Sequence, residues 1–335
     1  MGSEATQNSA RRYVLAFDLG GTHLRAAVVD QDGNIRFRIK HQTPAAAGPE
    51  PILRALVTAA RECGQSVLAP RATINAISVV VPGSVNIAAG SVVEAPNLSG
   101  LNGFNLSAAL TSELGLPAVL ENDANAAAVG EMWLGAARGR RTIVCITLGT
   151  GVGGGIVLEG KLWHGVDGSA GEIGHMCVEP FSDLKCNCGS RGCLELYASA
   201  TAVVRMARES SVSYPDPGLR IDRITSADVY DAALSGDKPA REVFRRMGDY
   251  LGVGLVNLIN ILNPEMIVIV GGLAAAWDLF EPAMRCRIGR RTFPSAALQL
   301  EIKRGECGDD AGLLGAARLG FDHNQPAVRS FMRVI

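Results

Sequence analysis

Val14-Leu-Ala-Phe-Asp18-Leu-Gly20-Gly21-Thr22-His-Leu-Arg25-Ala-Ala-Val-Val-Asp30 is written a second time in this chain, as Ile143-Val-Cys-Ile-Thr147-Leu-Gly149-Thr150-Gly151-Val-Gly-Gly-Gly155-Ile-Val-Leu-Glu159. The two stretches align without a gap. Each runs from apolar β-forming residues through a Gly/Thr turn into a second apolar run that ends in an acid, which predicts a β-hairpin with a tight polar turn. Glycine lets the backbone approach a ligand closely, and successive N–H groups at such a turn form a concave nest that favours an anion. A single copy is as well explained by an ordinary hairpin turn. Two copies in one frame point to duplicated domains that face each other across a nucleotide, as in a kinase or ATPase.

Two common phosphate motifs are excluded. Gly149-Thr-Gly151-Val-Gly-Gly154 satisfies G-x-G-x-x-G, but that fingerprint needs a helix after its last glycine, and Ile156-Val157-Leu158 is strand-like. A P-loop needs Gly-Lys before Ser or Thr, whereas Gly160-Lys161 precedes Leu162.

At 335 residues the chain exceeds what one hydrophobic core usually serves, so two domains are expected. Its 32 basic and 33 acidic residues leave a net charge of −1, which argues against nucleic acid or an anionic membrane as partner and for a small molecule. The most apolar region, Tyr250 to Trp277, is interrupted by Asn257, Asn260, Asn263, Pro264 and Glu265, so it reads as a buried helix and strand rather than a membrane span. Met1 to Arg12 is polar and lacks the apolar core of a signal peptide, which predicts a disordered tail and a cytoplasmic protein.

Between and beyond the hairpins the pattern is α/β, built twice. Helices are expected over Pro51–Cys63, Ser107–Leu114, Ala124–Gly135, Ala240–Leu262 and Ala311–Leu319, the last rich in small residues that permit close packing. Strands are expected over Ala76–Val81, Ala118–Glu121 and Met266–Val270, and Ser210–Thr225 reads as a surface connection. Asp123 falls where a strand hands over to a helix, a usual address for chemistry in α/β folds, although an Asp there also serves as an N-cap.

Of eight cysteines, Cys63, Cys145, Cys177, Cys286 and Cys307 are scattered, as small buried hydrophobes are. The other three form Cys186-Asn-Cys188-Gly-Ser-Arg-Gly-Cys193 after Glu172-Ile-Gly-His175. His175, Cys186, Cys188 and Cys193, spaced His-x10-Cys-x-Cys-x4-Cys, make a full ligand set for tetrahedral zinc. A full set leaves no place for water, so the zinc would be structural, holding His175 by one ring nitrogen while the other points into the site. Cys177 stands too near His175 in the chain to share in it.

Asp18-Leu-Gly-Gly-Thr22, Glu121-Asn-Asp-Ala-Asn-Ala-Ala, Leu148-Gly-Thr-Gly-Val-Gly-Gly-Gly155, Glu172-Ile-Gly-His175 and the cysteine run ending in Leu194-Glu195 together resemble the ROK (repressor, open reading frame, kinase) family of sugar kinases over about Tyr13 to Gly320. The resemblance implies a duplicated actin-like, ribonuclease-H-type pair of α/β domains with a structural zinc site. The expected division is a tail at 1–12, a small domain of 13–121 plus about 310–335, and a large domain of 122–309. By the same resemblance Asp123 is the general base. Gly83, Asn97, Asn122, Glu172, His175 and Glu195 hold the sugar, Asp123 beside them. Asp18, Gly20, Gly21, Thr22, Gly149, Thr150 and Gly151 surround the phosphates, and Gly271 and Gly272 lie along the adenosine. Homodimers are common in such proteins.

The chemistry implied is ATP-dependent phosphorylation of a hexose at its 6-hydroxyl. Glu94-Ala-Pro-Asn97-Leu98 and Glu121-Asn122-Asp123-Ala-Asn125 are most similar to the bacterial glucokinase branch, which implies D-glucose, with N-acetylmannosamine, N-acetylglucosamine or fructose as alternatives. Phosphoryl transfer is mostly positioning and charge stabilisation, so one carboxylate to accept the hydroxyl proton suffices. Mg2+ is implied with ATP, and Asp18 would orient it through water or else cap the turn. Glu172 and Glu195 could be solvated loop acids, but both stand beside zinc ligands. A non-catalytic sugar-sensing regulator is the competing class, which Asp123 and the short stretch before Tyr13 disfavour.

Overall fold

The computed structural model describes residues 11–67, 72–210, 212–213 and 221–323, which fall into two compact units. The first is built from β1 (Arg12–Leu19), β2 (His23–Asp30), β3 (Ile35–Gln42), α1 (Pro49–Gln65), β4 (Thr73–Val81), the small hairpin β5 (Ser84–Asn86) and β6 (Ser91–Glu94), α2 (Leu106–Leu114), β7 (Ala118–Asn122) and α3 (Asp123–Leu134). Its sheet runs β3-β2-β1-β4-β7, the first three strands antiparallel and the last three parallel. The second unit holds β8 (Ile143–Leu148), β9 (Val152–Leu158), β10 (Lys161–Leu162), α4 (Glu195–Ala198), α5 (Ala200–Arg208), α6 (Ser226–Leu234), α7 (Lys238–Leu262), β11 (Met266–Val270), α8 (Trp277–Arg291), α9 (Pro294–Ala297) and β12 (Glu301–Arg304). Its sheet, β10-β9-β8-β11-β12, repeats the order and the sense of every pairing.

The repeated sequence therefore sits at equivalent places, β1–β2 and β8–β9, each closed by a three-residue turn. Each sheet carries its own core. Phe17, Leu56, Ile77 and Leu110 are buried in the first unit, and Ile146, Phe244, Met247 and Phe280 in the second. Those buried side chains are the apolar faces that the period-2 and period-3.6 patterns present.

The final helix, α10 (Ala311–His323), belongs to the first unit and packs along α3. Both surfaces are made of small residues: Ala126, Ala127 and Gly130 on α3, and Ala311, Gly315 and Ala316 on α10. A Cβ added at Gly315 would run into the Ala126 carbonyl, and one at Gly130 into that of Ala311. This contact corrects the expected domain boundary. The sequence division starts the large domain at Asn122, whereas the first unit extends through Leu134, because α3 packs against a helix that arrives from the far end of the chain.

Most expected elements recur within a few residues, and the first strand begins at Arg12, inside the expected tail. The sequence reading omitted β3, β10 and β12, which are sheet-edge strands, and α5, α6 and α8. Residues 1–10 of the tail, 211 and 214–220 of the expected connection, and 324–335 lie outside the described residues.

Gly315→Ala is expected to destabilise the protein by about 1–3 kcal/mol, since overpacking against a backbone carbonyl outweighs the helix propensity gained. Gly289→Ala, in the same structural class but with open space around its Cβ, is expected to stabilise by about 0.5–1 kcal/mol. Denaturant unfolding of the two variants checks the pair.

Candidate active site

In the first unit the turn Gly20–Thr22 is tied down by Thr43, just beyond β3. The Thr43 hydroxyl donates to the Gly20 carbonyl at 2.7 Å, and its N–H to that of Thr22 at 2.9 Å. A Cβ on Gly21 would lie 2.8 Å from the Asn97 Cβ, so the turn has Asn97 directly against it. Asp18 stands opposite Arg25 in the ladder and is ion-paired with it. Its carboxylate thus has a fixed cationic partner, which neither the metal-orienting nor the turn-capping expectation included.

Asn122 and Asp123 stand where β7 passes into α3. Asn122 takes the N-cap role that local sequence also allowed for Asp123. Its Oδ1 accepts from the N–H groups of Ala124 at 2.8 Å and Asn125 at 3.0 Å, while its amide donates to the Gly83 carbonyl at 2.9 Å. Gly83 needs its glycine, with φ +96 and a Cβ position filled by the Glu94 carbonyl. Beneath lies Glu121, only 2% exposed, whose Oε1 accepts from Asn122 N–H at 2.8 Å and Asn125 Nδ2 at 2.9 Å. Asp123 itself is exposed, its Oδ1 accepting from the Ala124 N–H at 2.9 Å. Glu121 and Asn125 are supports that the sequence reading did not assign. The available signal was an acid on the last turn-in of an otherwise apolar strand.

In the second unit the turn Gly149–Gly151 is bound to the start of α5. Ala200 N–H donates to the Gly149 carbonyl at 2.9 Å and the Thr201 hydroxyl to the Thr150 carbonyl at 2.8 Å. The Glu195 carboxylate accepts from Val152 N–H at 3.0 Å. A cleft of about 540 Å³ opens beside this turn, lined by Thr150, Thr201, Val204, Arg205, Arg208 and Ser226. Gly271, with φ +92, lies against the Leu148 carbonyl, while Gly272 faces open space. These two glycines do not line that cleft.

The ligand atoms of His175, Cys186, Cys188 and Cys193 all lie within 4.8 Å of one another. His175 Nδ1 is 3.5 Å from the Cys186 thiol, and the sulfurs of Cys188 and Cys193 are 3.7 Å apart. A tetrahedral zinc with ordinary N and S bonds has edges of about 3.5–3.8 Å, so the cluster fits such an ion. The other ring nitrogen, Nε2, lies 3.8 Å from the Glu172 carboxylate. The loop is shaped by Gly189 and Gly192, both at positive φ, and by pairing of Cys177 with Cys193 through the backbone. Cys177 stands outside the cluster, as the chain spacing implied. Burial pushes the Cys193 thiol up to about 12 and raises that of Cys186, whereas the Ser190 N–H lowers that of Cys188. A cation would have to displace thiol protons to bind.

Residues 14–322 match the ROK family. A glucokinase from Halalkalibacterium halodurans is 36% identical over 313 residues, covering 92% of this chain and 94% of its own. A ROK family glucokinase from Streptomyces griseus, solved in complex with glucose and AMPPNP, superposes with a TM-score of 0.77 at 32% identity, covering 92% of this chain and 99% of that one. A ROK family transcriptional regulator superposes with a TM-score of 0.83 at 28% identity, covering 94% of this chain and 79% of that one.

The cluster is expected to retain one divalent cation per chain through purification, and Cys193→Ser to lose it. Elemental analysis of both proteins checks this, and a native chain without metal would refute the ligand set.

Proposed function

The chain belongs to the ROK family, and from that premise we propose that it is an ATP-dependent hexose kinase whose substrate is D-glucose, phosphorylated at the 6-hydroxyl. Its two sheets of matching strand order and its solved relatives give it the two-domain sugar kinase fold. The observation that carries the reading is Asp123. It is an exposed carboxylate at a strand-to-helix junction, its Oδ1 accepting from the Ala124 N–H, with the helix N-cap filled by its neighbour Asn122.

In this reading Asp123 accepts the proton of the sugar hydroxyl as the new P–O bond forms, the step that makes a neutral alcohol a competent nucleophile. Asn122, Gly83 and Asn97 hold the sugar. Glu172, His175 and Glu195 hold it through ring hydroxyls, and a missing or inverted hydroxyl would leave their polar groups unpaired. The turns Gly20–Thr22 and Gly149–Gly151 take the phosphates through backbone N–H groups, with Gly271 and Gly272 toward the nucleoside. Asp18, at the end of β1 and ion-paired with Arg25, would orient Mg2+ through water or else cap the first turn.

Mg2+ bound with the triphosphate would offset its negative charge. A structural zinc ion at His175, Cys186, Cys188 and Cys193 would cross-link the loop and leave no open coordination site for chemistry. The cluster geometry and the ROK match support it. Glucose is supported by the glucokinase relatives named above, one of them solved with glucose and an ATP analogue. Cytoplasmic residence and a homodimer complete the proposal. Among the described residues no helix is long and apolar enough to cross a membrane.

A sugar-sensing regulator is the second reading, since a ROK regulator shares this fold. ATP turnover separates the two. Asp123→Asn is expected to leave glucose affinity within a few-fold and to lower kcat by about a hundred- to ten-thousand-fold. A variant that turns over as the parent does would remove Asp123 from the base role.

Coupled assays with ATP are expected to give a kcat/KM for glucose at least about tenfold above those for N-acetylmannosamine, N-acetylglucosamine and fructose, about 1.4 kcal/mol of transition-state preference. The reverse ranking would change the sugar and leave the kinase reading in place.

A further inference from the structure

Glu195 has two jobs available to it, and only one concerns sugar. It opens α4, two residues after Cys193, at a half-buried position. Its Oε2 accepts from the N–H of Val152, the first residue of β9, whose ladder partner Leu148 is the last of β8. A Cβ on Gly151 would collide with the same carboxylate, which therefore lies directly on the turn, Oε2 foremost and Oε1 farther away. Besides the hairpin's own bonds, Gly149 N–H to the Gly151 carbonyl and Gly153 N–H to the Thr147 hydroxyl, two further ties come from the same short stretch of chain: Ala200 N–H to the Gly149 carbonyl and the Thr201 hydroxyl to the Thr150 carbonyl. Residues 195–201 thus tie the turn at three points, and of the three Glu195 supplies the acceptor.

That arrangement has a physical purpose. A nest accepts an anion only while its N–H groups converge, and a three-residue glycine turn has little intrinsic preference for holding that shape. A hydrogen bond accepted from the first amide after the turn fixes the hairpin mouth. Gly151 is then required for a second reason, since any side chain there would displace the carboxylate.

We infer that Glu195 is a positioning residue for the nucleotide as well as a sugar ligand: its Oε2 holds the Gly149–Gly151 turn in its phosphate-binding shape, leaving Oε1 for a sugar hydroxyl. One rigid carboxylate then links the two substrates, so loss of its tether weakens nucleotide binding in the absence of sugar. The inference rests on the kinase reading above for the identity of the turn's ligand.

The test measures AMPPNP affinity without sugar by calorimetry, and amide hydrogen exchange at Val152, in the parent, Glu195→Ala and Glu195→Gln. Glu195→Ala is expected to weaken AMPPNP at least fivefold and to speed Val152 exchange at least tenfold. Glu195→Gln, whose amide oxygen still accepts the Val152 N–H, is expected to stay within about twofold of the parent in both. Should Glu195→Ala fail to fold, Glu195→Asp replaces it. That variant keeps the charge but withdraws it by one methylene, and it should show the same loss. Parent-like nucleotide affinity and Val152 protection in Ala or Asp variants would overturn the inference alone. A parent chain that binds no AMPPNP would overturn the kinase reading with it, and the exchange at Val152 would still report whether the tether exists.

Discussion

A glycine turn holds one shape only if its carbonyls are tied, and both turns here have carbonyls tied by chain outside the hairpin, while the first amide of each, Gly20 N–H to the His23 carbonyl and Gly149 N–H to that of Gly151, is spent closing the hairpin itself. In the first unit Thr43 alone does it, giving its hydroxyl to the Gly20 carbonyl and its N–H to that of Thr22. In the second the work is divided between the N–H of Ala200 and the hydroxyl of Thr201, which take the carbonyls of Gly149 and Thr150. The hairpins were duplicated together with their sheets, but the groups that complete them come from a segment just beyond β3 in one case and from a helix start in the other. The common requirement has been met twice from different chain neighbours. That argues for a functional constraint on the turns rather than simple inheritance of a hairpin.

The two turns were legible because the signal was local and repeated. Three residues between apolar runs fix the register, and a gapless alignment of the copies removes the ambiguity of a lone Gly turn. The same register places Asp18 opposite Arg25, an ion pair that lies across the ladder and so is not legible from the chain neighbours of either residue. The edge strand β3 was missed differently. Ile35, Phe37 and Ile39 alternate with Arg36, Arg38 and Lys40, but its inward residues are only half-buried, so its apolar signal is thin. α8 hides its buried Phe280, Met284 and Ile288 among arginines and carries Pro282 inside it. The boundary after Leu134 was not readable at all, because what assigns α3 to the first unit is a glycine-to-carbonyl contact with a helix that follows in sequence only after the whole second unit.

The cysteine cluster was the most legible part of the candidate site, since ligand identity and spacing are written in one short loop and the geometry has little freedom once Gly189 and Gly192 take positive φ. The carboxylates were less so. Composition alone cannot distinguish a buried bracing acid such as Glu121 from an exposed one such as Asp123. The difference arises from pleat direction and from the amide of Asn122 reaching back to Gly83. Asn122 is decisive here. Its side chain closes the helix N-terminus, which places the capping acceptor one residue before Asp123.

That division of labour also bears on why one body can serve both kinases and regulators. In the proposed reading Asn122 and Gly83 serve the sugar as well as the junction, so a sugar-binding body would retain them with or without catalysis. Retaining Glu121, Asn122 and Gly83 as a hydrogen-bonded support has a cost, because it keeps a buried acid beneath an exposed one. The hydrogen-bonded support beneath Asp123 therefore does not separate a kinase from a regulator, and in the proposed reading the separating feature is the carboxylate at position 123 itself.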